Sequence, residues 1–236
     1  MRETSDLYKQ LLRGMHSVET RLAIGESVDA DESKLMLLKT SLNLFSEDTI
    51  SIGSCVSGEI DVEMLQPSAT IPRRAKLKPF VRLTDGVQFS EWIQKGEFFI
   101  DTREVRESDN GIKVLVLHGY DAMLKAEQNY PASELAWPAT DVSVVQEIAK
   151  AMGVSVDART YQLMTQSYKL QYPSTYSCRE VLGYIAAMYA GCFIMNDLGE
   201  LRLITLWSMP AAPEDGTYLV NEAGEYILAG GDQIIV

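Results

Sequence analysis

The sequence is poor in the residues that crosslink chains, bind zinc or act as catalysts. It contains three cysteines and two histidines among 236 residues. Cys55, Cys178 and Cys192 are an odd number at wide spacing, which excludes a disulfide framework. With two histidines they form no zinc-ligand cluster. The fold must therefore be held by its apolar core.

Long hydrophobic runs are also missing. No stretch approaches the about 20 continuous apolar residues that span a bilayer, and the apolar run 185–195 is interrupted by Gly191. The N-terminal segment "DLYKQLLRGM" is amphipathic and lacks the unbroken apolar core of a secretion signal. We therefore expect a soluble globular protein without a membrane segment, synthesised in a cytoplasm.

Positive charge is in deficit, since the formal net charge is -12 at pH 7. Phosphate binding requires concentrated positive charge, so this total argues against broad nucleic-acid affinity. One stretch is an exception. "IPRRAKLKPFVRL", residues 71–83, is rich in arginine and lysine, and it is either a polyanion-binding strip or one face of a strand.

The basic stretch and the segment "SCVSGEIDVEML" both alternate between two faces with the period of a β-strand. Their polar faces carry opposite charges: Lys76, Lys78 and Arg82 in the first, Glu59, Asp61 and Glu63 in the second. Consecutive strands pair about two-thirds of the time. We therefore predict that these strands are neighbours and that the opposed charges stabilise the pair by about 0.2–1 kcal/mol each. The alternative is a subunit contact through the same face, and in neither case is DNA bound.

The overall pattern predicts an α+β fold. Some six or seven short strands with turns between them, ending in "IKVLVLHGY", favour an antiparallel barrel or sandwich over residues 1–118. A small helix-containing domain follows over 119–200, where Ser177 and Glu180 have the spacing of a capping box. "CFIMNDLGELRLITL" and "TYLVNEAGEYIL" predict β-hairpin strands, and 201–236 is expected to be further β-structure.

Motifs that carry chemistry are absent from the sequence. It contains no P-loop, no G-x-G-x-x-G, no G-x-S-x-G and no H-E-x-x-H. Cys178 lies in the first turn of a predicted helix, where the helix dipole lowers a thiol pKa, but no histidine is near it in the sequence. We interpret Cys178, His16 and His118 as structural residues and predict no catalytic residue, no cofactor and no metal.

The order of several segments resembles a known family. The chain is similar to the N-terminal hub region of tail-tip proteins from phages and prophages of Gram-positive bacteria. That region also begins many tail-associated lysins and is similar in fold to the central baseplate hub of contractile-tailed phages. The segments that carry the resemblance are "FSEDTISIGSCVSGEIDVEM", "IPRRAKLKPFVRL", "SEWIQKGEFFIDTREV", "LHGYDAMLKAEQ" and "REVLGYIAAMYAGCFIMNDLGELRLITL".

The resemblance implies a tail-tube-type β-barrel followed by a small helical domain, in a homotrimeric ring at the virion tail tip. Its expected partners are further copies of itself, the tail-tube protein and the distal tail protein, with DNA passing through the lumen without specific binding. An acidic chain suits such a lumen, because it repels phosphate. In this family a second barrel follows the first. Residues 201–236 are too few for all of it, so we expect a truncated second barrel in either a piece of a longer protein or a short variant.

Two other functions remain open at this stage. The chain could be the hub portion of a tail-associated cell-wall-degrading enzyme. Alternatively, it could be a module that binds a cell-surface carbohydrate, in which case exposed Trp92, Trp137 or Trp207 would line a groove.

Overall fold

The computed structural model describes residues 4–26, 28–45, 49–107, 111–206, 228–229 and 232–233. A short helix, α1 (Asp6–Arg13), precedes a large antiparallel sheet. The strands of this sheet are β1 (Ser17–Ile24), β2 (Val28–Asp31), β3 (Leu35–Ser41), β4 (Glu59–Leu65), β5 (Lys76–Thr84), β6 (Ile93–Gln94), β7 (Phe98–Glu107) and β8 (Lys113–Asp121).

The hydrogen-bonded order of the sheet is β2-β1-β5-β7-β8-β4-β3, with β6 paired to β5. Every ladder is antiparallel, as the alternating patterns predicted. In the part of the chain that the structure describes, no ladder joins β2 to β3. The sheet is therefore not closed, and the predicted barrel is not confirmed.

One face of the sheet forms an apolar core because side chains alternate along each strand. In β4 the residues Ile60, Val62 and Met64 are fully buried, while Glu59, Asp61 and Glu63 between them are not. Strand β5 buries Leu77 in the same core. Each such side chain contributes about 1.5–3 kcal/mol when it leaves water.

Two details of the predicted sheet are wrong. β4 and β5 do not pair, because β5 lies between β1 and β7 whereas β4 lies between β3 and β8. The apolar segment "KLMLLKTSLNLF" favours a buried strand by its composition, but β3 is an edge strand in which Met36 is 61% and Leu37 is 43% exposed. Apolar composition alone does not distinguish an edge strand from a central one.

The second half of the chain contains helices and short strands around a separate apolar core. After a 3₁₀ helix (Ala122–Glu127), its elements are β9 (Ala139–Thr140), α2 (Asp141–Met152), α3 (Ala158–Leu163), β10 (Lys169–Leu170), α4 (Cys178–Met188), β11 (Gly191–Met195) and β12 (Leu201–Thr205). None of the described helices has the length and apolar character needed to cross a membrane.

The predicted capping box at the start of the last helix is confirmed. Ser177 Oγ accepts a hydrogen bond from the Glu180 backbone N–H at 3.2 Å, and Glu180 Oε2 accepts one from the Ser177 N–H at 2.7 Å. This is the predicted capping box of α4. Helix α2 ends at Gly153, whose φ of 72° is left-handed. β11 and β12 form the predicted hairpin.

The contacts divide the chain into two units, Met1–Thr205 and Leu206–Val236. The second unit contains a two-stranded antiparallel ladder of β13 (Leu228–Ala229) and β14 (Asp232–Gln233). Nearly all of the predicted strand "TYLVNEAGEYIL" lies outside the described residues.

A polar joint formed by Arg179 and Asp121 connects the sheet to the helical half. Arg179 of α4 donates to the Cys55 carbonyl at 2.8 Å, to Ser57 Oγ at 2.9 Å and to the Met123 carbonyl at 3.1 Å. Asp121, at the end of β8, accepts from the Gly58 N–H at 2.7 Å and caps the 3₁₀ helix. The segment that leads into β4 is thus held from both sides.

Replacing Arg179 by Met is predicted to lower the free energy of unfolding by about 3 kcal/mol, because several partly buried acceptors lose their donor. Urea unfolding followed by circular dichroism measures the difference. Arg13→Met, on the exposed side of α1, is the matched control and should change stability by less than about 0.5 kcal/mol. Equal effects of the two substitutions would contradict the role of the joint.

Candidate functional site

The charged face of β5 is the candidate site, since it carries the basic residues that the sequence singled out. Lys76 Nζ lies 2.7 Å from Glu97 Oε1, and Lys78 Nζ lies 3.2 Å from Glu97 Oε2. Glu97 reaches both because it precedes β7, which pairs with β5 at Lys76↔Phe99. Its side chain is only 15% exposed. Burial raises the pKa of Glu97, but the two lysines outweigh burial and hold this pKa below its ordinary value.

Arg82 is neutralised at the other end of the same strand. It lies directly opposite Glu19 of β1, and its guanidinium is 2.6 Å from Glu19 Oε2. The guanidinium also lies over the rings of Phe89 and Trp92, at 4.3 Å and 4.5 Å from their centroids. Such cation–π contacts hold the planar group in place. Arg21 lies over the Trp92 ring as well, so Trp92 is packed against two arginines.

The acidic residues of β4 have different partners. Asp61 Oδ1 lies 2.7 Å from His118 Nδ1 of β8, and Glu63 Oε1 lies 3.7 Å from Arg106 of β7. Glu59 is exposed at the start of the strand. Apart from Glu59, the charges that were predicted to face each other across β4 and β5 therefore have partners elsewhere in the chain.

Glu19 and Glu97 could not be identified as partners from the sequence, because both pairings depend on the strand order. The predicted meeting of Lys76, Lys78 and Arg82 with acidic groups nevertheless occurs, within one chain. Whether the same face contacts another subunit stays a prediction.

The three residues considered for catalysis lie in separate environments. His118 contacts Asp61 and the edge of the Tyr120 ring, and exposed His16 lies 3.0 Å from the Gly14 carbonyl. Cys178 is buried at the start of α4, and burial raises its pKa to about 11. Neither histidine is hydrogen-bonded to a cysteine, serine or threonine among the described residues. Within the same residues no group of three His, Cys, Asp or Glu side chains is placed to hold a metal ion.

The remaining tryptophans were considered for carbohydrate binding. Trp137 packs edge-on against Tyr130 and Tyr172 and lines a cleft of about 210 Å³ that also contains Tyr176 and Tyr184. Trp207 lies outside the described residues. The aromatic cleft was not predicted, because its residues are brought together from segments far apart in the sequence.

Comparison with known proteins identifies the fold. No protein-family model matches the chain, and no curated protein matches it by sequence. The structure is similar to the 43 kDa tail protein of prophage MuSo2 from Shewanella oneidensis, with a TM-score of 0.54 and 14% identity over 84% of this chain and 58% of that one. The chain has the fold of a prophage tail protein.

Two further solved structures have lower TM-scores. A tail protein from Neisseria meningitidis MC58 gives a TM-score of 0.49 at 13% identity, over 80% of this chain and 50% of that one. Prophage tail protein gp18 from Listeria monocytogenes EGD-e gives 0.47 at 9% identity, over 85% and 55%. The chain spans between 50% and 58% of the length of these three proteins.

Replacing Glu97 by Gln is predicted to lower the free energy of unfolding by about 1 kcal/mol at pH 7, because two half-exposed lysines lose their shared carboxylate. The folded pKa of Glu97 lies below its ordinary value. Its contribution is therefore present above the pKa of the unfolded chain and is lost as the pH falls through the folded pKa.

Urea unfolding should show the difference between wild type and Glu97→Gln shrinking as the pH falls from about 7 to about 3. Glu107→Gln, at the exposed end of β7, is the control and should have little effect at any pH. A penalty for Glu97→Gln that persists unchanged at the acidic end would contradict the assignment.

Proposed function

We propose that the chain is a structural component of a phage or prophage tail and acts in the hub at the tail tip. The observation that carries the proposal is the fold similarity to the MuSo2 tail protein over 84% of this chain. The family resemblance of its sequence segments is independent support, because it rests on the order of motifs and not on the coordinates.

The geometry suits a role in which the protein binds other proteins and catalyses no reaction. The sheet has one buried apolar face and one charged face whose charges are largely compensated within the chain. In the proposal residues 1–118 form a tube-type barrel wall, 119–200 a small domain on it, and 201–236 the first strands of a second barrel. Three copies form a ring that joins the tail tube and the distal tail protein to the tip.

Strand face residues of β4 and β5 are the proposed subunit contacts. They are Glu59, Asp61 and Glu63 on β4, and Lys76, Lys78 and Arg82 on β5. Asp61 keeps 45% of its side chain exposed even with His118 beside it, so the β4 face can also reach a neighbouring copy. DNA crosses the lumen without specific contacts, since a chain of net charge -12 repels phosphate.

Immunogold electron microscopy of tail particles tests the proposal. Antibodies raised against the purified chain should label one end of each tail, at the tip distal to the capsid. Particles from a strain with the gene deleted are the control, and they should be unlabelled and lack an assembled tip. Labelling along the whole tail, or normal infectious particles without the gene product, would contradict a hub role.

A further inference from the structure

Two basic residues of the stretch 71–83 differ in their surroundings from Lys76, Lys78 and Arg82. Arg73 and Arg74 are exposed in the turn that leads into β5. Among the described residues, no carboxylate lies within ion-pair distance of either side chain, in contrast to Lys76, Lys78 and Arg82. The basic stretch therefore has two parts, one neutralised along the strand and one available at the strand's beginning.

A third arginine comes to the same place from β7. Arg103 donates from its guanidinium to the Ile71 carbonyl at 2.8 Å, which holds the group against the turn. A β-bulge between Ile100 and Thr102 precedes it, and bulges re-aim side chains at functional edges. Arg73, Arg74 and Arg103 line a surface cleft of about 740 Å³, and we call it the arginine cleft.

The charge balance of the arginine cleft favours an anion. Asp101 is the one carboxylate among the residues that line it, against three guanidinium groups. Guanidinium is a planar fork that pairs with a carboxylate through two parallel hydrogen bonds. In a chain of net charge -12 such a local excess of positive charge suits an acidic protein surface. Duplex DNA fits less well, because a chain with a net charge of -12 repels its continuous phosphate backbone.

The backbone at Arg74 supports a role for its side chain. Its φ of 59° is left-handed, a conformation that is uncommon for a residue with a Cβ and that glycine adopts without strain. Strained backbone tends to occur at functional sites. An arginine therefore occupies a position where glycine would be more stable.

The chain itself carries an acidic surface of matching kind. Glu26, Asp29, Asp31 and Glu32 are exposed on the turn after β1, on the edge strand β2 and directly after it. Asp29 has one cation beside it, Arg21 at 3.6 Å. The turn lies at the same end of the sheet as the arginine cleft, since the Gly25 N–H donates to the Lys76 carbonyl at 2.8 Å. An acidic surface and a basic cleft therefore lie near the same end of the sheet.

We propose that the arginine cleft of one copy binds the acidic β2 edge of a second copy. The contact is heterologous, which is the type that closes into a ring. This inference rests on the proposed function, because it assigns residues to the self-assembly that the hub role requires. It differs from the contact faces of β4 and β5 proposed above.

Sedimentation velocity of the full chain tests the contact. The wild type should self-associate with rising concentration, and the association should weaken at least tenfold between about 50 mM and about 500 mM salt. If salt acted only by screening the repulsion between copies of net negative charge, self-association would instead strengthen with added salt. Arg73→Glu with Arg74→Glu should weaken self-association at least tenfold, whereas Arg13→Glu on α1 should not.

A charge-swap experiment makes the test specific. The double variant Glu26→Lys with Asp29→Lys should also fail to self-associate. A mixture of this variant with the Arg73→Glu, Arg74→Glu variant should form complexes, because the acidic cleft of one variant then meets the basic β2 edge of the other. Arg74→Gly should weaken association while leaving the thermal unfolding temperature equal or higher, which separates the side chain's role from the stability of the fold.

Three results would each overturn the inference. The wild type could stay monomeric, the Arg73→Glu, Arg74→Glu variant could associate like the wild type, or the two double variants could fail to associate when mixed. The immunogold experiment distinguishes this failure from failure of the proposed function. If antibodies label the tail tip but substitutions in the arginine cleft do not change self-association, the hub role stands and only this contact is excluded.

Discussion

The period-two alternation of the sheet strands is the constraint on which the rest of the structure depends. Ile60, Val62 and Leu77 can be fully buried only if the residues between them face outward. A shift of one residue in register would exchange the two faces and bury lysines and carboxylates instead. The same alternation that builds the core therefore produces a densely charged outer face.

Compensation within the chain determines what that outer face can do. Glu97 serves both Lys76 and Lys78, and Glu19 holds Arg82 between aromatic rings. These pairs cancel the local field that a polyanion would need, while the overall charge of -12 adds general repulsion of phosphate. The outer face of β5 therefore carries little uncompensated positive charge.

Local features were predictable from the sequence because short-range physics determines them. The strand alternation and the capping box of α4 follow from spacing alone. The strand order could not be predicted in the same way. A ten-residue loop connects β4 to β5 in the sequence. In the sheet, however, β7 and β8 lie between them, and the alternation of the strands does not specify which strand is the neighbour. The cations of the candidate site were therefore identified, whereas Glu97 and Glu19 became visible only once β5 was placed between β1 and β7.

The joint at Arg179 and Asp121 connects the charged sheet to a helical half with its own core. This joint fixes the segment entering β4 and therefore the face that β4 presents. The central claim is that the part of the basic stretch on β5, Lys76, Lys78 and Arg82, is neutralised in the folded chain. Fluorescence anisotropy of labelled duplex DNA, titrated with the wild-type chain at about 50 mM salt, tests this most directly. The account predicts no saturable binding, and a saturable rise in anisotropy that disappears with added salt would contradict it.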